Sequence, residues 1–346
     1  MQLGKRYPWF FWGLLLLAGE GAWAQSGSTV GPIQGDHTAE AVRWLERIGL
    51  AGERSHYVGT VVMQQGDEVR VSRIAHAFDQ GVLKERVQTL DGAAHEFVRV
   101  DNEVRCLWPQ ERMVVVEWRP LERFPKLSEA DARALLEHYA FSLGTMQRIA
   151  GQSCQLIRLT PKDHLRFGHQ LCVTHPDGLV LSAQILNEQG QIIEQMAFAE
   201  IQVVETLDAA HLNPSWATDG WRVLRTEHEP IDVRGQGWVF AVPEGFKRVR
   251  EVSRKIFVAG DVARWKQTMQ SVYSDGLATL SVFIEPADLK LDDGDRAVPA
   301  NAPVGARGAT HAWSRRVGQA QVTVVGEVPA ATVLQVGHSV QFEPAK

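Results

Sequence analysis

The sequence predicts a mainly β protein with a few helices, of the α+β class and divided into two domains. Short stretches in which apolar and polar residues alternate recur along most of the chain, and tight-turn sequences such as Asp91-Gly92 separate them. Helical spacing of apolar residues begins near Thr38, Ser128 and Pro329. Between positions 211 and 236, repeated Pro and Gly residues break any regular element, which divides the 346 residues into two parts.

The composition is typical of a globular chain. Hydrophobic residues make up 45% and charged residues 22%, so the chain has enough apolar material to form a core. The formal net charge of -5 argues against a nucleic-acid-binding protein, because such proteins usually carry a basic excess. Three cysteines are too few for a scaffold built on disulfides. We therefore expect each domain to bury its own core, and we expect no nucleic-acid partner.

Residues 1–24 have the pattern of a secretory signal peptide. Lys5 and Arg6 form a short basic region, and an apolar run follows over 9–18. The stretch then ends in Ala22-Trp23-Ala24, a small-x-small cleavage sequence. The apolar run is too short for a membrane anchor, which needs about twenty residues. We expect cleavage after Ala24 and a mature chain that is exported to an oxidising compartment.

The first domain is predicted over residues 36–212. It opens with a helix from Thr38, because Val42, Leu45 and Ile48 recur at helical spacing. Successive strands joined by tight turns then describe an antiparallel meander, interrupted by a second helix near Ser128. The strands are predicted at 57–65, 69–78, 82–90, 96–100, 104–108, 113–118, 146–149, 154–160, 169–174, 179–186 and 191–203. One long curved sheet of this kind needs its concave face covered by helices or by a ligand.

Residues 213–234 are predicted as a linker, and 235–342 as a smaller α+β domain. The strands of that domain are expected at 246–258, 278–284, 311–317 and 321–325. Pro329 opens a last helix, in which Val333, Val336 and Val340 share one face. Two tryptophans in the linker, Trp216 and Trp221, are expected either to hold the domains together or to face a partner.

Motifs that carry chemistry are missing from the sequence. It has no Gly-x-Ser-x-Gly elbow, no His-Glu-x-x-His, no Cys-x-x-Cys and no phosphate-binding glycine loop. The 12 histidines show no metal-ligand spacing, and His164, His169 and His175 lie around turns, where a histidine is usually solvated. We therefore expect no enzyme, no metal site and no cofactor.

The cysteines suggest one disulfide. Cys154 and Cys172 lie on two predicted strands joined by a turn around Asp163, which is their midpoint in the sequence. A hairpin centred there would place them opposite each other, and a bridge forms only if the local geometry allows it. Cys106 would then be the remaining thiol.

Basic residues cluster on one strand of the second domain. Lys247, Arg248, Arg250, Arg254 and Lys255 fall within nine positions of each other on a predicted strand. The simple interpretation is a solvated sheet face. The functional interpretation is a surface for an acidic peptide or for a lipid phosphate.

Several sequence segments together resemble one known family. In the first domain they are Leu90-Asp91-Gly92 with 96–99, the segment 161–171, Asp177-Gly178-Leu179, 186–190 and 194–198. In the second domain they are 243–246, 273–277 and 324–329, in the same order. Their order and spacing resemble the RseB/MucB family of periplasmic sigma-E regulatory proteins over almost the whole mature chain. The chain departs from the family pattern at Phe167, His169, Cys172 and Ala241.

The resemblance implies a fold and a function. The first domain would be an unclosed antiparallel β-barrel, or half-barrel, similar to the LolA-type lipoprotein carriers, with an apolar hollow under covering helices. The protein would bind the periplasmic domain of a membrane-bound anti-sigma factor and shield it from regulated proteolysis. Lipid or lipopolysaccharide would release it. The alternative is a periplasmic lipid or lipoprotein carrier, and self-association into a homo-oligomer stays open.

Two sets of candidate binding residues follow from these expectations. Large apolar residues on central strands are candidates for lining the hollow and binding lipid, although plain core packing is the competing interpretation: Val62, Trp108, Met113, Val115, Leu181, Ile185, Met196 and Phe198. The candidate partner surface is formed by Arg248, Arg250, Arg254 and Lys255.

Overall fold

The computed structural model describes residues 37–343, with the exception of 53, 119–127, 227, 259–263 and 287–303. The predicted signal peptide over 1–24 lies outside the described residues. The elements, in chain order, are α1 (His37–Ala51), β1 (His56–Gln65), β2 (Glu68–Asp79), β3 (Val82–Thr89), β4 (Glu96–Val100), β5 (Glu103–Trp108), β6 (Met113–Trp118), α2 (Glu129–His138), β7 (Tyr139–Ile149), β8 (Gln152–Pro161), β9 (Gly168–Val173), β10 (Val180–Leu186), β11 (Ile192–Val204), β12 (Arg222–Arg225), β13 (His228–Pro230), β14 (Trp238–Val239), β15 (Lys247–Val258), β16 (Arg264–Ser274), β17 (Thr279–Pro286), β18 (Gly305–Arg307), β19 (Thr310–Val317), β20 (Ala320–Gly326), α3 (Ala330–Ser339) and β21 (Gln341–Phe342).

The first twelve strands form a single sheet. Their order across it is β12-β6-β5-β4-β3-β2-β1-β11-β10-β9-β8-β7. Neighbouring strands are antiparallel, except that β12 runs parallel to β6. Strands β12 and β7 stand at opposite ends of the order, so the sheet is not closed into a barrel. The predicted fold class, a mainly β chain with an unclosed antiparallel sheet and few helices, is confirmed.

Helices α1 and α2 cover part of one face of this sheet. Val42 and Leu45 of α1 pack in one buried cluster with Leu135 of α2 and Leu159 of β8. The spacing of three residues between Val42 and Leu45 places both on the same side of the helix, as the sequence predicted. The Oγ of Ser128 accepts a hydrogen bond from the backbone N–H of Asp131 at 3.2 Å, which caps the start of α2.

The second domain is a seven-stranded sheet with α3 on one face. Its order is β13-β15-β16-β17-β20-β19-β18, and β14 pairs separately with β21. Val333 and Val336 of α3 pack into a buried core with Val322 and Val324 of β20. The helix lies close to the sheet because it contains Gly337, where a Cβ atom would collide with the ring of Trp313.

The predicted linker contains two short strands, one belonging to each sheet. Strand β12 adds to the first sheet beside β6, and strand β13 adds to the second sheet beside β15. Trp216 and Trp221, for which two roles were expected, pack against the buried residues Val98, Leu107, Val114 and Val116 of the first sheet. The prediction that 213–234 has no regular element was therefore wrong, because edge pairing with each sheet extends short segments that carry no strong alternation of their own.

Two further boundaries differ from the sequence predictions. Strand β7 begins at Tyr139, directly after α2, and not at 146, because Tyr139 already has an extended backbone with φ -125° and ψ 141°. Strand β16 was not predicted. Its Thr268, Gln270 and Ser271 are buried polar residues, so the strand lacks the apolar alternation that signals a strand in a sequence.

Candidate functional site

An apolar row crosses the first sheet beneath α1. The pairing register sets one residue from each of five neighbouring strands in line, namely Ile157, Leu171, Ala183, Met196 and Met63. Residues paired across antiparallel strands project to the same face of the sheet. Trp44 and Ile48 of α1 pack against the Ile157 end of the row. The row is therefore the apolar surface that the helices cover.

Three of the candidate lipid-binding residues meet at this surface. Met196 and Phe198 are 5% and 4% exposed, and they pack with Leu181 and Val61 in one buried cluster. Phe198 also makes an edge-on contact with Tyr57, with the ring centroids 5.7 Å apart. These side chains fill the space between them, so a ligand would have to separate them in order to enter.

Three other candidates lie at the far end of the sheet. The register from β1 to β6 places Trp108, Met113 and Val115 on the same face as Met196, but on the strands β5 and β6. Trp108 stacks on His95, with ring centroids 5.2 Å apart. The structure therefore brings these three residues together in a second group, separate from the cluster around Phe198.

Of the remaining two candidates, Val62 packs against the edge of the cluster around Phe198, and Ile185 joins neither group. Val62 lies opposite Ala197 in the register, whereas Met63 lies opposite Met196, so Val62 projects to the other face of the sheet. Ile185 packs with Phe167 and with Ala309 of the second domain. The alternation of side chains along a strand is visible in the sequence. A shift of one residue in the pairing register exchanges the two faces of the sheet, however, so only the observed pairing shows which face each side chain occupies.

The two predicted disulfide partners are bonded in the structure. The Sγ atoms of Cys154 and Cys172 form a disulfide between β8 and β9, with the Cα atoms 5.3 Å apart. The hairpin is not centred on Asp163, since Cys172 pairs with Leu156 and not with Cys154. Cys106 is half-buried and lies outside the disulfide.

A chain of amide side chains crosses the face opposite the apolar row. The guanidinium of Arg158 donates to Gln170 Oε1 at 2.9 Å. Gln170 donates to Gln184 at 2.8 Å, Gln184 donates to Gln195 at 2.8 Å, and Gln195 donates to Gln64 at 3.3 Å. Five strands are thus connected by side-chain hydrogen bonds that all run in one direction, an arrangement in which each bond polarises the next.

A groove of about 780 Å³ lies beside this amide chain, along the ends of β8 to β11. Arg158, Lys162 and His164 line it together with Asp163 and Glu188, so basic and acidic groups nearly balance. This surface was not predicted from the sequence.

The two domains meet at a buried arginine. Arg166 of the first domain and Asp275 of the second are each 1% exposed, and the Nε of Arg166 donates to Asp275 Oδ2 at 2.8 Å. The same guanidinium also donates to Asp163 and to the backbone carbonyl of Glu244, and it lies over the ring of Phe246 at 4.9 Å from the centroid. Every nitrogen of the guanidinium therefore has a partner, which a buried arginine requires.

Two titratable side chains adjoin this ion pair. The hydroxyl of Tyr139 donates to Asp275 Oδ2 at 3.2 Å, and burial together with the charge of Asp275 raises the pKa of Tyr139 well above its usual value. Burial lowers the pKa of His169 to about 4, against a smaller opposing effect of Asp275. His169 is therefore neutral near pH 7, and among the described residues its Nε2 has no hydrogen-bond partner.

A glycine allows the second domain to approach this point. Gly245 has a φ of +86°, a conformation that favours glycine, and a Cβ atom there would collide with the imidazole of His138. Gly245 stands directly before Phe246, which stacks on Arg166. The segment 243–246, which was noted for its resemblance to a family, is thus part of the contact between the domains.

A second point of contact surrounds Glu194 of β11. The backbone N–H of Ala309 in the second domain donates to Glu194 Oε2 at 2.7 Å, and Gln65 donates to the same oxygen at 3.2 Å. Glu194 is 1% exposed, and its Oε1 has no partner among the described residues. Glu194, Arg166 and Asp275 were not predicted as site residues. The signal that could have found Glu194 is a lone carboxylate directly after Ile192 and Ile193 on a strand, and the signal for Arg166 is a charge between Leu165 and Phe167.

The candidate partner residues all lie on β15. The Nη1 of Arg248 forms an exposed ion pair with Glu251 at 3.2 Å. A register shift at Val249 separates Arg248 from Arg250. The guanidinium of Arg254 lies over the ring of Phe283, 5.4 Å from its centroid. Lys255 is placed on the same strand opposite Gln267.

The part of the chain that the structure describes shows neither a metal site nor a membrane-spanning helix. No group of three or more His, Cys, Asp and Glu side chains could hold a metal ion there. Nor does any described helix have the length and apolar character needed to cross a bilayer.

Comparison with known proteins matches both domains to one family. The model of the MucB/RseB N-terminal domain matches residues 40–216, and that of the MucB/RseB C-terminal domain matches residues 232–341. The sigma factor AlgU regulatory protein MucB of Pseudomonas aeruginosa is 29% identical over 329 residues, covering 90% of this chain and 94% of that protein. The sigma-E factor regulatory protein RseB of Escherichia coli K12 is 23% identical over 331 residues, covering 93% and 96%.

Solved structures agree with this match. A crystal structure of MucB in complex with MucA(peri) is 27% identical, with a TM-score of 0.66, and covers 88% of this chain and 100% of that one. A complex of Pseudomonas aeruginosa MucA and MucB is 27% identical with a TM-score of 0.67. These relatives are named as regulators of sigma factors, not as enzymes. On the matches to both of its domains, this chain belongs to the MucB/RseB family of regulatory proteins.

Proposed function

We propose that this chain is an exported, periplasmic negative regulator of a sigma factor, which acts by binding the periplasmic domain of a membrane-bound anti-sigma factor. The observation that carries the proposal is the likeness to MucB, whose structure in complex with MucA(peri) covers 88% of this chain and all of that one. The family models match both domains of this chain, over residues 40–216 and 232–341. The predicted signal peptide over 1–24 supports export.

Binding would shield the anti-sigma factor from regulated proteolysis. A protease needs an extended, accessible segment, and a bound regulator removes that segment from solution. The basic residues Arg248, Arg250, Arg254 and Lys255 are proposed to attract an acidic stretch of the partner. Of these, Arg248 is suited to this role because its side chain is 59% exposed, while its ion pair with Glu251 leaves further donors for a second carboxylate.

Lipid or lipopolysaccharide is proposed to release the partner. The apolar row under α1 and the cluster around Phe198 supply a surface that an acyl chain could occupy if the helices moved. A ligand that binds only this opened arrangement would shift the equilibrium toward it. Leu277 of the second domain packs in the same cluster as Val42 and Leu135 of the helices. Movement of the helices would therefore disturb the contact with the second domain, which links the lipid site to the partner site.

Protease protection tests the proposal directly. The mature chain from Gln25 is mixed with the periplasmic domain of the cognate anti-sigma factor, and the rate of cleavage by the first regulatory protease is followed with and without lipopolysaccharide. We expect a stable complex on gel filtration, slower cleavage, and recovery of cleavage when lipopolysaccharide is added. An unchanged cleavage rate with no complex would refute the function. Gel filtration of the chain alone also reports whether it forms a homo-oligomer.

The residues proposed for partner binding have a matched control. Arg248→Ala removes an exposed basic residue from β15, and Arg133→Ala removes one from the exposed face of α2. We expect the first change to weaken anti-sigma binding about fivefold, the equivalent of roughly 1 kcal/mol for one exposed ion pair, and the second to leave binding unchanged. Equal affinities for the two variants would remove β15 from the partner surface.

A second candidate function is a periplasmic lipid or lipoprotein carrier. The buried cluster of Phe198, Met196 and Leu181 favours it, since a carrier also needs an apolar site for acyl chains. Tight uptake of a labelled fatty acid by delipidated protein, together with no affinity for an anti-sigma domain, would support the carrier. No uptake would count against the carrier and against lipid release alike.

A further inference from the structure

The contact around Glu194 joins the two domains through a single carboxyl group. One of its oxygens accepts from Ala309 N–H in the second domain and from Gln65 in the first, at 2.7 Å and 3.2 Å. The neighbouring Gly308 is needed for this approach, because a Cβ atom there would lie 2.5 Å from Glu194 Oε2. The second oxygen, Oε1, is buried without a hydrogen-bond partner among the described residues. A proton on Oε1 would remove the cost of burying an uncompensated charge.

The charged surroundings of Glu194 favour that proton. Glu327, which follows β20 in the second domain, is close enough to act on Glu194 through its charge. Ile185, which pairs with Glu194 across β10 and β11, packs in an apolar cluster with Phe167 and Ala309. No cation is in hydrogen-bonding contact with Glu194 among the described residues, so the two carboxyls repel each other when both are ionised.

The other charged or titratable groups on the adjoining elements already have partners. Arg307, beside Gly308, forms an ion pair with Glu68 of β2. The ring of His311 on β19 donates from Nδ1 to the carbonyl of Val328 at 2.8 Å. His169 lies two strands away in the same row of the sheet, with Ile185 between it and Glu194.

Both carboxyls hold their protons more tightly than usual in this arrangement. Burial raises the pKa of Glu194 to about 7, the hydrogen bond from Ala309 opposes this, and the charge of Glu327 adds to it. Burial likewise raises the pKa of Glu327 to about 7. When the domains separate, Glu194 returns to water and its pKa returns to a value near 4.5. The closed contact therefore has its full stability below about pH 4.5 and loses it as the pH rises through 7.

We propose that Glu194 is a proton-operated joint, in which a proton on its buried carboxyl closes the two domains on each other and the loss of that proton loosens the contact. Alkaline conditions would then favour separated domains, and mildly acidic conditions would favour closed ones. This regulation goes beyond the proposed function and does not depend on it, because it concerns the two domains of the chain alone.

Hydrogen exchange of the mature chain tests the joint without any partner or lipid. Amide protection is measured at pH 6 and pH 8 for peptides that cover the Gly308-Ala309 turn, and each rate is corrected for the pH dependence of intrinsic exchange. For one carboxyl whose pKa moves from 4.5 to about 7, linkage predicts that the opening constant rises about tenfold between these pH values. The amides of α3 report whether the second domain stays folded.

Variants separate the joint from a general effect of pH. Glu194→Gln and Glu327→Gln keep the shape and cannot ionise, so we expect the opening constant of Glu194→Gln to change less than twofold and that of Glu327→Gln to change less than in the wild type. Glu188→Gln alters an exposed carboxyl in the turn before β11 and should retain the tenfold change. Equal wild-type opening constants at both pH values would overturn the joint, as would a tenfold change that persists in Glu194→Gln. Because no anti-sigma factor is present, these outcomes are independent of those that test the proposed function.

Discussion

Arg166 and Asp275 lie 109 residues apart in the chain and form an ion pair that joins the two domains, with Nε and Oδ2 separated by 2.8 Å. Both side chains are 1% exposed, and Arg166 compensates the charge of Asp275 while it also pairs with Asp163. A buried ion pair adds little net stability compared with an apolar pair of the same shape. Removing one partner, however, leaves the other buried charge with less compensation, and this asymmetry makes the pair a fixed point of the domain arrangement.

Removing the aspartate should therefore destabilise the protein strongly. We expect Asp275→Ala to lower the free energy of unfolding by about 3 kcal/mol, because the buried Nε of Arg166 loses its acceptor while the ion pair with Asp163 remains. Urea unfolding followed by tryptophan fluorescence measures the change. The matched control is Glu129→Ala, which breaks an exposed pair with Arg133 and should cost less than about 1 kcal/mol. Similar losses for the two variants would contradict the role given to the buried pair.

The disulfide should stabilise the first domain by restricting its unfolded chain. Cys154 and Cys172 are 18 positions apart, and a closed loop of this size is worth about 3 kcal/mol in the chain-entropy model. We expect the double change Cys154→Ala and Cys172→Ala to lower the free energy of unfolding by about that amount. Cys106→Ala is the control, since Cys106 lies outside the disulfide. If a reducing agent lowers the melting temperature of the double variant as much as that of the wild type, the disulfide is not the cause.

Substitution at the centre of the amide chain, which runs from Arg158 of β8 to Gln64 of β1, should destabilise the protein. Gln184 accepts from Gln170 and donates to Gln195, so Gln184→Leu leaves a donor and an acceptor without partners. We expect a loss of about 1–3 kcal/mol in the free energy of unfolding. Gln202→Leu, at an exposed position of β11, is the comparison and should change stability by less than about 0.5 kcal/mol. A cost at Gln184 no larger than that at Gln202 would mean that solvent replaces the missing partners.

The two faces of the first sheet should respond differently to truncation. Phe198 is 4% exposed in a buried cluster with Met196 and Leu181, and Phe198→Ala is expected to cost about 3–5 kcal/mol through the cavity that it leaves. Val62 is half-buried on the opposite face, and Val62→Ala should cost about 1 kcal/mol. Chemical denaturation of the two variants checks the difference. Equal costs would contradict the assignment of the two residues to different faces.

Local patterns in the sequence predicted most elements of the fold but not the contacts between them. The helix with Val42 and Leu45 was predictable because a helix is recognised from spacing within a few residues. The face to which Val62 points depends on pairing with a strand about 135 positions away, which the sequence of one strand does not contain. The ion pair of Arg166 and Asp275 is a long-range contact of the same kind. Each of these charges can be buried only because its partner is present, and only the fold brings the two residues together.

Buried His169 should make the protein less stable in acid. Its pKa is about 4 in the folded chain and 6.5 when exposed, so the folded state binds a proton less readily than the unfolded state. Stability from this residue is fully present above pH 6.5 and is lost as the pH falls toward 4, the opposite direction to that of Glu194. Linkage gives a loss of about 2 kcal/mol between pH 7.5 and pH 5. We expect His169→Phe, which has similar size and cannot ionise, to reduce the acid-dependent loss of unfolding free energy by this amount relative to the wild type. His164→Phe, at an exposed histidine, should leave the pH dependence of the wild type unchanged. If acid lowers the free energy of unfolding of His169→Phe as much as that of the wild type, His169 accepts a proton in the folded chain as easily as in water.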